Sequence, residues 1–249
     1  MNLYYTGWYY LLRAVVPTAI YMKVRGLENI PRTGPCLLVG NHLSMIDPMC
    51  LLAYAPRHVH FMTKAELFDQ WPLSVLLPPG DPIKVHRGRA DRHALRLAEQ
   101  YLKQGEPVAI YAEGTRARSG MAQEARAGVV YLAQRTNAPI VPVAISGTER
   151  VFSKRFPWYR RTRAQMTIGE PFLLSDLGEV TRQNRDLLAQ QVMARVADLL
   201  PPGYRGVYRA RLAPDTMREA GVLPPPAADA EGEEQAQPIE AAATTDRNG

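Results

Sequence analysis

Two short stretches of this chain carry residue types that can do chemistry together. Asn41-His42-Leu43-Ser44-Met45-Ile46-Asp47 places an imidazole five positions before a carboxylate. A turn can fold that carboxylate back onto the ring, fix its tautomer and leave the other nitrogen as a base. Glu113-Gly114-Thr115-Arg116 places a guanidinium and a hydroxyl in a glycine-containing turn. A guanidinium grips phosphate through parallel hydrogen bonds, and glycine lets backbone approach a ligand closely. Together they suggest that a hydroxyl is activated on a molecule carrying a phosphate. The imidazole–carboxylate unit lacks an evident enzyme nucleophile. Ser44 is near, but not in a nucleophile-elbow context, so the substrate hydroxyl is the economical nucleophile.

Each stretch also has a plainer explanation. Asp47 before Pro48 suits a helix start, with aspartate as cap and proline in the first turn. A lone histidine after a strand often bonds a loop carbonyl, and Arg116 with Arg118 and Arg126 can be a solvated basic loop. Lys64 and the run Gly80-Asp81-Pro82-Ile83-Lys84-Val85-His86-Arg87 add further basic strand ends, whose plain reading is surface charge. His58, His60, His86 and His93 show no zinc spacing, so no metal is assigned.

The elements that must position these residues alternate between strand and helix. Short strands are expected at Tyr21–Arg25, Cys36–Gly40, His58–Thr63, Ile83–Val85, Val108–Ala112, Ile140–Ile145 and Gln165–Ile168. Pro142 argues for an irregular or edge position of its strand. Helices are expected at Pro48–Tyr54, Ala65–Leu77, Arg89–Gln104 (closed by Gly105), Ala127–Gln134 and Asn184–Leu200. This pattern predicts an α/β fold, a mostly parallel twisted sheet flanked by helices. His42 and Glu113 then fall at strand ends, where such sheets bind ligands.

Four segments follow from the patterning: an aromatic N-terminal helix over 1–22, the α/β domain over 23–203, an extension over 204–223 and a disordered acidic tail over 224–249. Residues 3–22 include six Tyr or Trp, with Arg13 and Pro17 interrupting a barely sufficient span. Rings with a polar edge suit a bilayer interface, so a helix lying on or dipping into one leaflet is expected rather than a spanning one. The competing expectation is a helix packed on the protein's own core. The start lacks a basic region and a cleavage site, so no cleavable signal is expected. Cys36 and Cys50 sit in apolar stretches and read as reduced core thiols.

The 249-residue chain has a formal charge of +6. Its last 26 residues hold six acids and one base, a net −5, which leaves the remainder at +11. Such a body prefers anionic partners: nucleic acid, anionic lipid, coenzyme A or an acidic carrier protein. No nucleic-acid motif accompanies the charge, and the bases flank a phosphate-sized site, so nucleic acid is disfavoured.

In this order, the motifs resemble the 1-acylglycerol-3-phosphate acyltransferase family of phospholipid-synthesis enzymes. Asn41, His42 and Asp47 match its first block. Gly80, Ile83 and Arg87 are similar to the second. Glu113 to Arg116 match the third without change, and Ile140–Ile145 with Pro142 match the fourth. Lys64-Ala65-Glu66-Leu67 is also similar. The chain departs from the family at His86, where an acid or small residue is more usual, and before Gly128, where Met121 and Arg126 replace a Phe and Lys pair. The resemblance implies a glycerol-phosphate acyltransferase-like fold and a peripheral or monotopic protein on the cytoplasmic face of the plasma membrane. It also implies a lysophospholipid acceptor, lysophosphatidate, and acyl-CoA or acyl-carrier protein as donor. No cofactor is implied. His42 is expected as base and Asp47 as its orienting partner, with no acyl-enzyme. Arg116, Arg87 and Lys64 would hold the acceptor phosphate in a pocket shaped by Gly114 and Thr115. Glu113 would orient Arg116 or bond the acceptor, and Asn41 would support the site. The alternatives are another lipid acceptor, which would leave Arg116 dispensable, and a non-catalytic membrane binder of the same fold.

Overall fold

The computed structural model describes residues 3–67, 82–86, 91–117, 120–151 and 162–211. Gly80, Arg87, Arg118, the tail over 224–249 and the helix expected beyond Leu67 lie outside the described residues. Among the described residues there are seven strands: β1 (Ile20–Arg25), β2 (Leu37–Gly40), β3 (His60–Lys64), β4 (Ile83–Val85), β5 (Val108–Tyr111), β6 (Ile140–Ser146) and β7 (Thr162–Ile168). The helices are α1 (Leu3–Ala19), α2 (Asp47–Tyr54), α3 (Arg92–Lys103), α4 (Gly128–Thr136), α5 (Arg185–Asp198) and the short α6 (Tyr208–Arg211).

The strands form one sheet in the order β1-β7-β6-β2-β5-β3-β4. Every neighbouring pair is parallel except β6 and β7. Alternate residues of a strand point to opposite faces, and both faces are covered here. Leu37, Val39, Val108 and Ile140 pack with residues of α3, α4 and α5, including Leu102, Leu132 and Val192. Leu38, Ala109, Val141 and Val143 pack on the other face with Leu12 and Val16 of α1 and Leu51 and Leu52 of α2. Two-sided burial explains why these strands read as apolar runs rather than as alternating ones. Cys36 and Cys50 are free and fully buried in that second face.

Pro142 does not lie on an edge. β6 sits between β7 and β2. Beside Pro142 the ladder to β7 is interrupted: Ile140 exchanges both hydrogen bonds with Phe172, at 2.7 and 3.0 Å, while paired residues resume at Val143 and Ile168. In the gap, Gly169 N–H donates to the Pro142 carbonyl at 2.9 Å. The missing proline donor falls where β7 has left the ladder, so no partner is stranded.

α1 is docked on the domain. Leu12 and Val16 are buried, and Tyr9 Oη donates to the Ala55 carbonyl at 2.8 Å. Its outward side exposes Tyr10, Leu11 and Val15, each about half or more accessible. The expectation of a helix packed on the protein's own core describes its inner side; the outer side presents apolar residues outward. Among the described residues, no helix is long and apolar enough to cross a membrane.

The turn after β6 fixes the position of Thr148. Gly147 has φ +88°, and a Cβ there would lie 2.5 Å from the Arg163 carbonyl oxygen. Gly147→Ala therefore combines a left-handed backbone with a steric overlap. The left-handed backbone alone costs about 1–3 kcal/mol. Urea unfolding should show a midpoint lowered accordingly, and an unchanged midpoint would remove this account of the turn.

Candidate active site

β6, β2 and β5 are adjacent and parallel, so their C-terminal ends share one edge of the sheet. His42, Glu113 and Thr148 each lie two residues beyond the end of one of these strands. The edge is tied across by side chains and backbone. Asn41 is fully buried, and its amide bonds the Ile145 carbonyl and N–H, both at 2.8 Å. Ala117 N–H donates to the His42 carbonyl at 2.8 Å, joining the turn after β5 to the loop after β2.

Asp47 is fully buried at the start of α2. Of the two readings of Asp47 that the sequence allows, the carboxylate does not cap that helix; the cap position belongs to Ile46, which makes no side-chain cap bond. The carboxylate points back into the preceding loop. Oδ2 lies 2.9 Å from His42 Nδ1 and accepts the Leu43 and Ser44 N–H groups at 2.8 and 2.7 Å. Oδ1 accepts the Thr148 hydroxyl at 2.6 Å. With Nδ1 engaged as donor, Nε2 of His42 is left to accept a proton. The ring also stacks on Tyr111, with centroids 4.3 Å apart and planes 18° from parallel. Rotation of the imidazole is thus restrained by a carboxylate at one nitrogen and by an aromatic face.

Thr148 and Tyr111 were not singled out in the sequence. The signal for Thr148 was present: it follows a buried parallel strand at the same offset as His42 and Glu113. Tyr111 had no comparable mark, since its alternation reads as core.

The Glu113–Arg116 turn is divided between inside and outside. Glu113 is buried, and its Oε1 accepts the His42 backbone N–H at 3.4 Å. The expected partnership with Arg116 is not what the geometry gives: the carboxyl faces the His42 loop, and Arg116 is exposed. Gly114 has φ +70°, and a Cβ there would meet Arg126 Nε at 2.7 Å. The backbone of the turn is therefore overlain by the Arg126 side chain, which brings a second guanidinium to Gly114. Thr115 is half-buried beside it. Lys64 ends β3 on the same edge and lies 3.6 Å from Glu66. Arg87 is outside the described residues.

The fold and this edge define a class: an α/β domain whose parallel strands present a carboxylate-held imidazole beside a basic turn. Residues 21–146 match the family model described as Acyltransferase, about half of the chain, and the chain belongs to that family. It is similar to the 1-acyl-sn-glycerol-3-phosphate acyltransferase of Bacillus subtilis, 27% identical over 165 residues covering 66% of this chain and 80% of that one. It is also similar to the chloroplastic 1-acyl-sn-glycerol-3-phosphate acyltransferase BAT2 of Brassica napus, 29% identical over 133 residues covering 51% of this chain. That match spans only 38% of the Brassica protein. The crystal structure of PlsC, the 1-acyl-sn-glycerophosphate (LPA) acyltransferase of Thermotoga maritima, superposes with a TM-score of 0.56 at 25% identity, covering 80% of this chain and 83% of that one.

Glu113 gives the site a pH signature. Burial, reinforced by the Asp47 charge and opposed by the N–H groups of His42 and Gln123, raises its carboxyl from the ordinary 4.5 to about 8. The folded state then holds a proton that the unfolded chain has released. Stability from this group is complete below pH 4.5, declines as pH rises and is gone above about 8. Urea unfolding of wild type and Glu113→Gln across this range should show the glutamine variant without that decline. Parallel pH profiles in the two proteins would contradict a protonated Glu113.

Proposed function

We propose that the protein transfers a fatty acyl group from a thioester donor to the free hydroxyl of 1-acylglycerol 3-phosphate, forming phosphatidate. The observation that carries this reading is the buried His42–Asp47 contact at 2.9 Å, with the remaining lone pairs of Asp47 taken up by two backbone N–H groups and Thr148. Support also comes from the basic turn on the same edge and from the relatives' names.

In this mechanism His42 Nε2 accepts the proton of the acceptor hydroxyl as its oxygen attacks the thioester carbonyl carbon. Asp47 holds Nδ1–H and compensates the imidazolium that forms. The tetrahedral adduct expels the thiolate by breaking the C–S bond, and His42 returns the proton to sulfur. The acyl group never resides on the enzyme. Arg116 and Arg126, with Lys64 and Arg87, hold the acceptor phosphate, and Gly114 and Thr115 shape its seat. Asn41 and Glu113 act through the loop that carries His42, since neither faces open solvent. The donor is acyl-CoA or acyl-carrier protein; either is anionic and suits the basic body. The outward side of α1, with Tyr10, Leu11 and Val15, rests on the cytoplasmic leaflet where acceptor and product reside. A phosphate-bearing lipid is favoured over other acceptors by the two guanidinium groups at the turn.

Thiol release from palmitoyl-CoA, and separately from palmitoyl-carrier protein, tests the reading in mixed micelles with and without lysophosphatidate. Release should require the acceptor. His42→Ala should lower kcat by at least about 10²–10⁴-fold, the usual worth of a positioned base. Arg116→Ala should raise KM for lysophosphatidate by about tenfold or more while changing kcat less, because a charged hydrogen bond is worth about 1.5–3 kcal/mol. Folded wild type that stays silent with both donors would defeat the lysophosphatidate assignment. Activity preserved in His42→Ala would defeat the mechanism.

A further inference from the structure

The opposite edge of the sheet, where the parallel strands begin, carries a second gathering of ligand-type side chains. His60 opens β3 and pairs in parallel register with Val108 of β5. His60 N–H donates to the Pro107 carbonyl at 3.0 Å, so the two backbones already run side by side there. Two residues earlier on each chain come His58 and Glu106. Residues two apart on extended backbone share a face, which places both imidazoles on one side with the carboxylate across from them. The two rings lie 4.4 Å apart between centroids, at 62°. One donor atom from each of His58, His60 and Glu106 lies within 4.8 Å of the others.

The surroundings hold this arrangement in place. His60 is buried and stacked on Tyr101 of α3, with centroids 3.7 Å apart and planes 11° from parallel. Arg57, next to His58, reaches Glu106 only at 3.8 Å. Its guanidinium is engaged by the carbonyls of Gly34 at 2.7 Å and Gly105 at 2.8 Å. Glu106 is 43% exposed. Its carboxylate can turn toward the histidines without stranding Arg57.

We propose that His58, His60 and Glu106 form a binding site for a zinc-class divalent transition metal that clamps the start of β3 to the start of β5. Two imidazoles with one carboxylate suit Zn²⁺, Co²⁺ or Ni²⁺, whereas Mg²⁺ and Ca²⁺ favour all-oxygen shells. Bonds of about 2.0–2.2 Å draw the three donors inward from their present spacing and leave a fourth position for water. The histidine spacing alone gives no zinc pattern, because the third ligand comes just before a neighbouring strand, 46 residues after His60. The site lies on the edge away from His42 and Asp47, and the inference does not depend on the acyl-transfer reading.

The test uses full-length protein freed of metal by chelation, with thermal unfolding followed during titration with ZnCl₂, CoCl₂ or MgCl₂. Ligands that bind only the folded state raise its melting temperature. Zn²⁺ and Co²⁺ should raise it saturably and Mg²⁺ should not, and bound Co²⁺ should show visible absorption. His58→Gln and Glu106→Gln, both at partly exposed positions, should each weaken zinc binding by more than about tenfold. His86→Gln should keep the response, separating this site from the exposed His86–Asp91 pair. No zinc shift in wild type, or an equal shift in the His58→Gln/Glu106→Gln double variant, would overturn the proposal.

Discussion

The buried carboxylate of Asp47 is the constraint from which the active-site edge follows. An ion removed from water must find nearly complete compensation among hydrogen bonds and partners. Here the compensation comes from two parts of the chain: the loop after β2, with its two N–H groups and the His42 ring, and the hydroxyl of Thr148 after β6, 101 positions away. Satisfying one carboxylate therefore fixes two loops relative to each other and sets the tautomer of the imidazole. A carboxylate that merely capped its own helix would leave all three free to vary. Asn41 reinforces the same junction through two bonds to Ile145, one strand residue from the end of β6.

Beside this anionic centre lies a carboxyl kept neutral. Glu113 and Asp47 sit in the same buried region, yet Asp47 has three N–H or O–H donors besides the imidazole, whereas Glu113 has few and is pushed up to about 8. Two like charges in so small a volume would repel strongly. Burial and the neighbouring Asp47 charge accordingly push Glu113 toward its neutral form. The turn that carries Glu113 then spends its positive charge outward, through Arg116 and the Arg126 side chain that overlies Gly114.

Much of this was legible in the residues. The apolar runs at Cys36–Gly40 and Val108–Ala112 announced strands buried on both faces, and the position of His42 and Glu113 just after them placed both at one edge. The observed strands differ from those expected by at most two residues at their ends, except β7, which begins three residues earlier, at Thr162. What the sequence hid was pairing between distant segments. Pro142 argued for an irregular or edge position because proline removes a donor; the strand is central, and the departure of β7 at Gly169 is the irregularity that tolerates it. For Asp47 the sequence offered both a cap before Pro48 and a carboxylate folded back onto His42, and the geometry is the second. The donors that turn it backwards include Thr148, 101 positions away. Likewise, α1 carried too many aromatic residues for its sequence to say which side would meet the core.

The order of the sheet has a consequence for how the chain is made. β1 has a single neighbour, β7, and Ile20 pairs with Thr162, 142 positions later. During synthesis the first strand thus leaves the ribosome without its ladder partner and waits until most of the domain has followed. The waiting edge is adjacent to α1, whose inner residues Leu12 and Val16 share a core cluster with Leu51 and Leu52 of α2. Contacts of such long range slow folding and prolong the exposure of unpaired strand. The strand at the edge of the finished sheet is therefore also the one that waits longest for its partner.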